Sequence, residues 1–298
     1  MRFHFEFVRH WKTWFIVSGL LIVLALGAFF IRGLNYGIDF TGGTQMNLKF
    51  VHPVTTTAIK KVLDQDHLYG STVVFLGQGR RNVQITTPTI SEHERTTLLT
   101  QFGKQVGKFQ EISTNRVSSI IGQQTERTAL IAVVLAVVAI IIYITIRFEW
   151  RFALSGIMAM VHDVIITVGL IALIHIQITE YFIMAVLTIF GYSITDKIIV
   201  FDRIRENLAK KKKQETLEDL VDKSLNQVLV RSINTSTTVV IALLALLIFA
   251  GSSIRDFALT MLFGVIFGTY SSIFIASPIW LLWRNRDLKN KKKKVASA

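Results

Sequence analysis

The chain has 298 residues, of which 51% are apolar and only 3 are proline, and its mean hydropathy of +0.47 is too high for an ordinary soluble domain. Lys and Arg outnumber Asp and Glu by 33 to 20, which gives a formal net charge of +13. The absence of cysteine excludes structural disulfides, thiolate metal sites and cysteine nucleophiles.

The first predicted element is an apolar run from Trp14 to Ile31, which follows several basic residues. A signal peptide is the alternative, but this run is longer than the roughly 7–15 apolar residues of a signal-peptide core. The sequence IRGLNYGIDF follows it in place of a small-residue cleavage site. We therefore predict that residues 1–31 form a cytoplasmic N-terminus and an uncleaved transmembrane helix.

A glycine-rich stretch, GIDFTGGT at residues 37–44, follows the first span and imitates a phosphate-binding loop. Gly43 stands where that motif has its lysine, so the main charge for binding phosphate is missing. The stretch also follows a membrane helix, whereas the motif follows a strand. We predict that its glycines allow a sharp turn and that it binds no nucleotide.

The segment 32–127 has the pattern of a folded domain. QMNLKFVH, STVVFLG, RRNVQITT and FQEISTNRVS are predicted strands, with a turn at Gln78–Gly79, and TTTAIKKVLDQ is a predicted helix. Ser91 and Glu94 form a capping box that opens a second helix running towards Gln105. The order β-α-β-β-α-β predicts a ferredoxin-like α+β domain on the extracytoplasmic side.

Five further apolar runs follow this domain, and a helix needs about 20 apolar residues to cross the hydrocarbon core. The predicted fold is therefore a membrane α-helical bundle of six transmembrane helices, with the α+β domain between helices 1 and 2. The predicted bundle 128–283 contains spans at 128–146, 152–174, 181–201, 233–250 and 257–283, with a cytoplasmic loop at 202–232 and a basic tail at 284–298.

Lys and Arg are distributed unevenly between the two sides of the predicted bundle. With the N-terminus inside, the four cytoplasmic segments hold 3, 2, 8 and 7 basic residues, and the two short outer loops hold none and one. The positive-inside rule then predicts that both termini are cytoplasmic. The basic charge is expected to contact anionic lipid, so no nucleic-acid binding is predicted. The cytoplasmic segments are 1–13, 147–151, 202–231 and 284–298, and the outer loops are 175–180 and 251–256.

Residues 208–231 carry apolar side chains at helical spacing on one face, opposite Lys and Asp. This pattern predicts an amphipathic helix that lies either on the membrane surface or beneath the helix bundle. The apolar residues are Leu217, Leu220, Val221, Leu225, Val228 and Leu229.

The third span contains VHDVIITVG, which places His162 and Asp163 about 16 Å along the helix at a rise of ~1.5 Å per residue. An ionised carboxylate is costly at that depth, so Asp163 must face a partner, water or another polar group. A proton relay and a structural hydrogen bond between helices both remain open. One His beside one Asp is a weak metal pattern, and no metal or cofactor is predicted.

The fourth span ends in GYSITDKIIVFDRIREN, in which Asp196 and Lys197 are adjacent. Because neighbouring side chains on a helix do not face each other, Asp196 is predicted to face the bundle while Lys197 extends to the inner surface. Arg231, at the entry of span five, is the predicted counter-charge of Asp196. The charges beyond them are predicted to anchor the helix at the membrane edge; they are Asp202, Arg203 and Arg205.

Small residues recur every four positions in the sixth span, which predicts a face that another helix approaches closely. Hydroxyl groups near the two aspartates are predicted to complete a polar seam inside the bundle. The small residues are Gly264, Gly268, Ser272 and Ala276, and the hydroxyl residues include Ser193, Thr195, Thr235 and Ser236.

Taken together, these motifs resemble the SecF family. The stretches GIDFTGGT, VHDVIITVG, GYSITDKIIVFDRIREN, RSINTSTT and IRDFALTMLFG with GTYSSIFIASP occur in the family's order over almost the whole chain. The resemblance implies a six-helix subunit of RND type in the SecDF complex of bacterial protein export, in the cell (inner) membrane. It implies SecD, the SecYEG translocon, SecA, exported unfolded proteins and membrane lipids as partners, and a YajC-like subunit as a further candidate.

The resemblance also implies a proton relay formed by Asp196 and Arg231 with an aspartate of SecD, and Asp163 is a further relay candidate. The chain has Thr195 and Lys197 where the family usually has Asn and Thr, so Lys197 is expected to tune the relay or compete with Arg231. A stand-alone exporter of small molecules or lipids is the alternative function, although such exporters usually have twice as many helices. No pattern of catalytic residues favours a membrane enzyme. Protons and sodium ions both remain open as the coupling ion.

Overall fold

The computed structural model describes residues 5–77 and 79–296, and the chain forms two compact units. The first unit contains the chain up to Asn35, Ala132–Ile176 and the chain from Tyr181, and the second contains Tyr36–Ile131 and Gln177–Glu180. Gln78 of the predicted turn and the last two residues of the predicted basic tail lie outside the described residues, as do the side chains of residues 252, 253 and 291–296.

The elements follow one another along the chain without long gaps. In order they are a 3-10 turn (Val8–His10), α1 (Trp11–Arg32), β1 (Asn35–Tyr36), α2 (Ile38–Thr41), β2 (Gly43–Phe50), α3 (Thr56–Gln65), β3 (Thr72–Phe75), β4 (Asn82–Thr87), α4 (Glu92–Gln105), β5 (Phe109–Val117), α5 (Ser119–Arg147), α6 (Trp150–Ile174), β6 (Gln177–Ile178), α7 (Glu180–Ala209), α8 (Leu217–Phe249), α9 (Ser252–Ser271), a π-helical turn (Ser272–Ala276) and α10 (Ser277–Ala296).

Within the described residues, six helical stretches are long and apolar enough to cross a membrane, which confirms the predicted number of spans. They lie in α1, α5, α6, α7 and α8, and in the stretch Ile254–Asn290 that combines α9, the π turn and α10. Most of the predicted loop 202–232 is helical, because α7 continues to Ala209 and α8 begins at Leu217.

The amphipathic segment is the first part of α8, and it packs beneath the bundle. Its apolar side chains are buried in one core cluster of the first unit together with Phe152 and Trp280, whose rings stack at 4.7 Å. The structure therefore favours the second of the two predicted placements over the membrane surface. The buried residues of this face are Leu217, Leu220, Val221, Leu225 and Val228.

Close contacts between helices of the first unit depend on glycine. A Cβ atom on Gly169 of α6 would lie 2.3 Å from the Cβ of Ala25 in α1 and 2.6 Å from its carbonyl oxygen. A Cβ atom on Gly264 of α9 would lie 2.2 Å from the side chain of Ile189 in α7. The predicted close approach along the sixth span is thus confirmed at Gly264, and this approach brings α7 and α9 together around the polar residues described below.

The second unit contains a four-stranded antiparallel sheet in the order β3-β4-β2-β5. Alternate residues of β2, Met46 and Leu48, are fully buried in one cluster with Ile59 of α3 and with Leu98 and Phe102 of α4. The two helices therefore cover one face of the sheet. The four strands of this sheet and the helices α3 and α4 lie where the sequence pattern predicts them, whereas the short elements β1, α2 and β6 were not predicted.

The predicted capping box at the start of α4 is present. The Ser91 hydroxyl accepts a hydrogen bond from the Glu94 backbone N–H at 3.2 Å, and the Ser91 backbone N–H donates to the Glu94 carboxylate at 2.6 Å. This backbone hydrogen bond lowers the pKa of Glu94, since it stabilises the charged form. The cap satisfies two N–H groups that the helix cannot satisfy internally.

The stretch GIDFTGGT forms a tight turn between α2 and β2. Gly42 and Gly43 have φ angles of +71° and +138°, which residues with a Cβ rarely adopt. A Cβ on Gly43 would also lie 2.6 Å from the Thr87 carbonyl oxygen, and one on Gly42 would lie 2.8 Å from the Ser119 Cα. Gly43 is therefore needed for the close contact with β4, and Gly42 for the close contact with the start of α5. Both agree with the predicted sharp turn.

Candidate functional site: a buried polar cluster in the helix bundle

Asp163, in the middle of α6, lies at the centre of a polar cluster and is completely buried. Its Oδ2 accepts hydrogen bonds from the hydroxyls of Ser193 at 2.7 Å and Ser271 at 2.8 Å, and from Lys197 Nζ at 2.9 Å. Its Oδ1 lies 3.0 Å from His162 Nδ1. The prediction that Asp163 faces polar partners is confirmed, and the partners come from three different helices.

Lys197 is also completely buried, which shows that its predicted extension to the inner surface is wrong. Its Nζ donates to Asp163 Oδ2 at 2.9 Å, to Ser193 Oγ at 2.6 Å and to Ser271 Oγ at 2.9 Å. An ammonium group has three N–H donors, and each has an acceptor here. The Lys197 side chain points into the bundle because a buried cation needs a counter-charge and full hydrogen bonding.

The pair formed by Asp163 and Lys197 is a buried salt bridge with hydrogen bonds on both sides. Such a pair compensates the desolvation of two charges only when its geometry is good and its remaining polar atoms are satisfied. Ser193 and Ser271 meet this condition, since each donates to the carboxylate and accepts from the ammonium. The arrangement fixes the relative positions of α6, α7 and α9.

His162 connects this pair to a second group of polar residues. An ionised carboxylate can only accept hydrogen bonds, so His162 Nδ1 donates to Asp163. The His162 ring also stacks on the Tyr270 ring, with the ring centroids 6.2 Å apart. The Tyr270 hydroxyl in turn lies 3.1 Å from the hydroxyl of Ser18 in α1. His162 Nε2 is buried without a hydrogen-bond partner among the described residues.

Asp196 is 6% exposed and has a different environment from that of Asp163. The hydroxyls of Ser232 and Ser272 lie close enough to interact with its carboxyl group, but Oδ2 accepts no hydrogen bond of regular geometry within the described part of the chain. Lys197, the next residue, points to Asp163. Asp196 is therefore a buried carboxyl group that forms no ion pair with any of the described residues.

The predicted pair of Asp196 and Arg231 is not formed. Arg231 is exposed, and no ion pair or hydrogen bond joins it to Asp196 in the part of the chain that the structure describes. The reason is geometric, because the next residue of α8, Ser232, is the one that points towards the bundle and is buried. Arg231 is thus on the exposed side of α8, whereas Asp196 is buried in α7.

Ser271 is a member of the cluster that the sequence patterns did not single out. It is the last residue of α9, and the π turn begins at the next residue, Ser272. The Ser277 hydroxyl donates to the Ser272 carbonyl oxygen across this turn at 3.0 Å. A π turn inside a helix is frequent at functional sites, and the consecutive serines of GTYSS are the only sequence signal that points to the position.

The cluster can hold and exchange a proton, since it combines two carboxyl groups, one ammonium and one imidazole in a buried space. In the described residues, no group of three or more His, Asp or Glu side chains has an arrangement that would hold a metal ion. Hydroxyl and imidazole groups can pass a proton from one to the next, so proton transfer is one chemistry that these side chains offer.

Comparison with known families identifies two matching regions. The family described as protein export membrane protein SecD/SecF, C-terminal, matches residues 98–286. The SecD/SecF GG motif matches residues 27–54, which include the two glycines of the tight turn. Together the matches cover parts of both units and every residue of the buried cluster except Ser18.

Individual proteins similar to this chain include subunits named SecF and SecDF. The protein translocase subunit SecF of Sebaldella termitidis is 40% identical over 92% of this chain and 90% of its own length. The protein translocase subunit SecDF of Bacillus subtilis is 37% identical over 95% of this chain but only 39% of its own length. A crystal structure of SecDF from Thermus thermophilus, described as a translocon-associated membrane protein, superposes with a TM-score of 0.87 and 34% identity over 95% of this chain and 39% of that protein.

Proposed function

This chain belongs to the SecD/SecF family of protein export membrane proteins and is a multi-pass translocase subunit of SecF type, and we propose that it uses proton movement through its helix bundle to promote protein export. It carries out no covalent catalysis in this proposal. A SecD-type subunit is its partner, in keeping with the SecDF proteins that contain a similar region within a longer chain. The SecYEG translocon, SecA, a YajC-like subunit and the exported unfolded protein complete the proposed assembly.

The Asp196 carboxyl group is the observation that carries the proposed mechanism. An ionised carboxylate that is buried without a counter-charge costs several kcal/mol, whereas the protonated group needs only hydrogen bonds. Proton binding and release at Asp196 therefore changes the local electrostatics strongly. By contrast, Asp163 is already neutralised by Lys197.

In the proposed mechanism, the two aspartates have different functions. Asp196 takes up a proton from one side of the membrane and releases it to the other, with a SecD carboxyl group and Arg231 at the entrance or exit of the path. The pair of Asp163 and Lys197 holds α6, α7 and α9 together and keeps a fixed charge distribution beside Asp196. The π turn at Ser272 is where the helix is best able to change its register when Asp196 changes charge.

The second unit is proposed to be the ferredoxin-like extracytoplasmic domain, a placement supported by its β-α-β-β-α-β order and by the basic residues of the opposite loops. Both termini are then cytoplasmic. Single cysteines at Tyr69, which is 65% exposed, and at the exposed Gln214 test this orientation in a chain without native cysteine. An impermeant maleimide is expected to label Tyr69→Cys in intact spheroplasts and Gln214→Cys only after permeabilisation; labelling of Gln214→Cys first would overturn the topology.

Apolar surface for lipid and for the SecD-type partner is available on several helices. Only 6% of the most apolar stretch of α5 and 11% of that of α8 is buried within the chain. These helices expose Leu130, Leu135, Ile241 and Ile248, among other apolar side chains. The exposed side of a membrane helix packs against lipid or against neighbouring proteins in the bilayer.

Reconstitution tests the function directly. The chain, its SecD-type partner and the translocon are placed in vesicles, and the amount of exported protein is measured with and without an imposed proton gradient. We expect the gradient to raise export only when both subunits are present, and a protonophore to abolish the increase. Copurification of the two subunits without any effect of the gradient would contradict the proposed use of protons.

A further inference from the structure

Three oxygen atoms surround the buried ammonium of Lys197. They are Asp163 Oδ2 at 2.9 Å, Ser193 Oγ at 2.6 Å and Ser271 Oγ at 2.9 Å from Nζ. Each oxygen belongs to a different helix, and Asp163, Ser193 and Ser271 are all completely buried. The three helices thus build a small oxygen-lined site around a single positive charge.

One carboxylate and two hydroxyl oxygens are the ligand types that hard metal cations select. The site also suits a monovalent cation, since the single negative charge of Asp163 is balanced by the single positive charge of the group that occupies the site. Here the occupant is part of the chain. We propose that the Lys197 ammonium is a tethered cation that occupies the oxygen site of Asp163 and thereby prevents sodium from binding there.

Electrostatics explains why both cations cannot be present. Two positive charges about 4 Å apart repel each other strongly in a buried site, and Asp163 supplies only one negative charge. Among the described residues, the other ionisable groups near the pair are His162 of α6 and Asp196 of α7. His162 Nδ1 points to the carboxylate as a donor, so it adds no ligand for a second cation.

The inference rests on the proposed function, in which this bundle carries the coupling ion. It makes Lys197 a specificity-determining residue, because the carboxylate of Asp163, to which the hydroxyls of Ser193 and Ser271 donate, is closed to sodium. Asp196, whose Oδ2 accepts no hydrogen bond among the described residues, is left to bind a proton. A chain with a neutral residue at this position would retain the oxygen site and lose the cation that fills it.

Sodium binding to the purified full-length chain tests the inference. The variant Lys197→Thr removes the ammonium and its stem, and the double variant Lys197→Thr with Asp163→Asn removes the negative charge as well. Binding of ²²Na⁺ and the shift of thermal unfolding in sodium chloride relative to choline chloride are measured for both variants and for the unmodified chain. Neither measurement depends on export, so a failure of the proposed proton mechanism would not imitate a failure here.

We expect Lys197→Thr to bind sodium about 100-fold or more tightly than the unmodified chain, because the repulsion is removed. Its thermal unfolding should shift upwards with sodium but not with choline, since a ligand stabilises the state that binds it. The double variant should show neither effect. A folded Lys197→Thr that gains no sodium binding, or an unmodified chain that binds sodium equally well, would overturn the inference.

A second measurement covers the case in which Lys197→Thr is not recovered in folded form. The unmodified chain, assembled with its SecD-type partner in vesicles, is supplied with ²²Na⁺ during export. We expect no sodium uptake above that of vesicles without the complex. Uptake of sodium that accompanies export would overturn the inference, because the tethered ammonium would then not exclude the ion.

Discussion

Asp163→Asn is expected to cost about 3–5 kcal/mol of stability, because it leaves the buried ammonium of Lys197 without a counter-charge. The asparagine oxygen can still accept a hydrogen bond, but it carries no negative charge. Both side chains are completely buried, so water cannot compensate. The recovery of folded protein from membranes and the midpoint of thermal unfolding in detergent should both fall sharply.

The double variant Asp163→Asn with Lys197→Met is the matched control. It removes both charges and keeps side chains of similar length, and such replacements of a buried pair are often tolerated. We expect it to recover most of the lost stability, which would give a large coupling free energy in the double-mutant cycle. Additive effects of the two substitutions would show that the pair is not the interaction that holds α6, α7 and α9 together.

Asp196→Asn is expected to abolish the stimulation of export by a proton gradient while leaving the subunit folded. Asparagine has nearly the same size and can form hydrogen bonds, but its amide does not bind and release a proton at physiological pH. Because Asp196 has no ion-pair partner among the described residues, its substitution leaves no unpaired charge. Export with an imposed gradient and recovery of the complex with the SecD-type partner are measured together.

Two variants serve as controls for this experiment. Arg231→Gln should leave recovery unchanged, because Arg231 is exposed and makes no ion pair with Asp196. Asp163→Asn should lower recovery, which separates a loss of folding from a loss of coupling. If Asp196→Asn retains normal stimulation, Asp196 is not the proton carrier. If it instead lowers recovery as far as Asp163→Asn does, its function is structural.

Several features of this protein were available from local patterns. The length of the apolar runs gave the number of spans, and alternation of apolar residues located the strands of the second unit. The capping box at Ser91 and the turn at Gly42 and Gly43 were also predictable, because their geometry depends on residues that are close in sequence. Asp163 was recognised as a buried group in need of a partner, since its depth in the membrane follows from helix rise alone.

The partners of the charged residues could not be predicted in this way. Lys197 was expected at the membrane surface, but it contacts Asp163 and Ser271, which are 34 and 74 residues away in sequence. Arg231 was expected to pair with Asp196, but the rotation of α8 turns Ser232 inwards instead. Hydropathy assigns a residue to a helix and a depth but leaves the rotation of that helix open. Only the close packing of α6, α7 and α9, permitted by residues such as Gly264, decided which side chains meet.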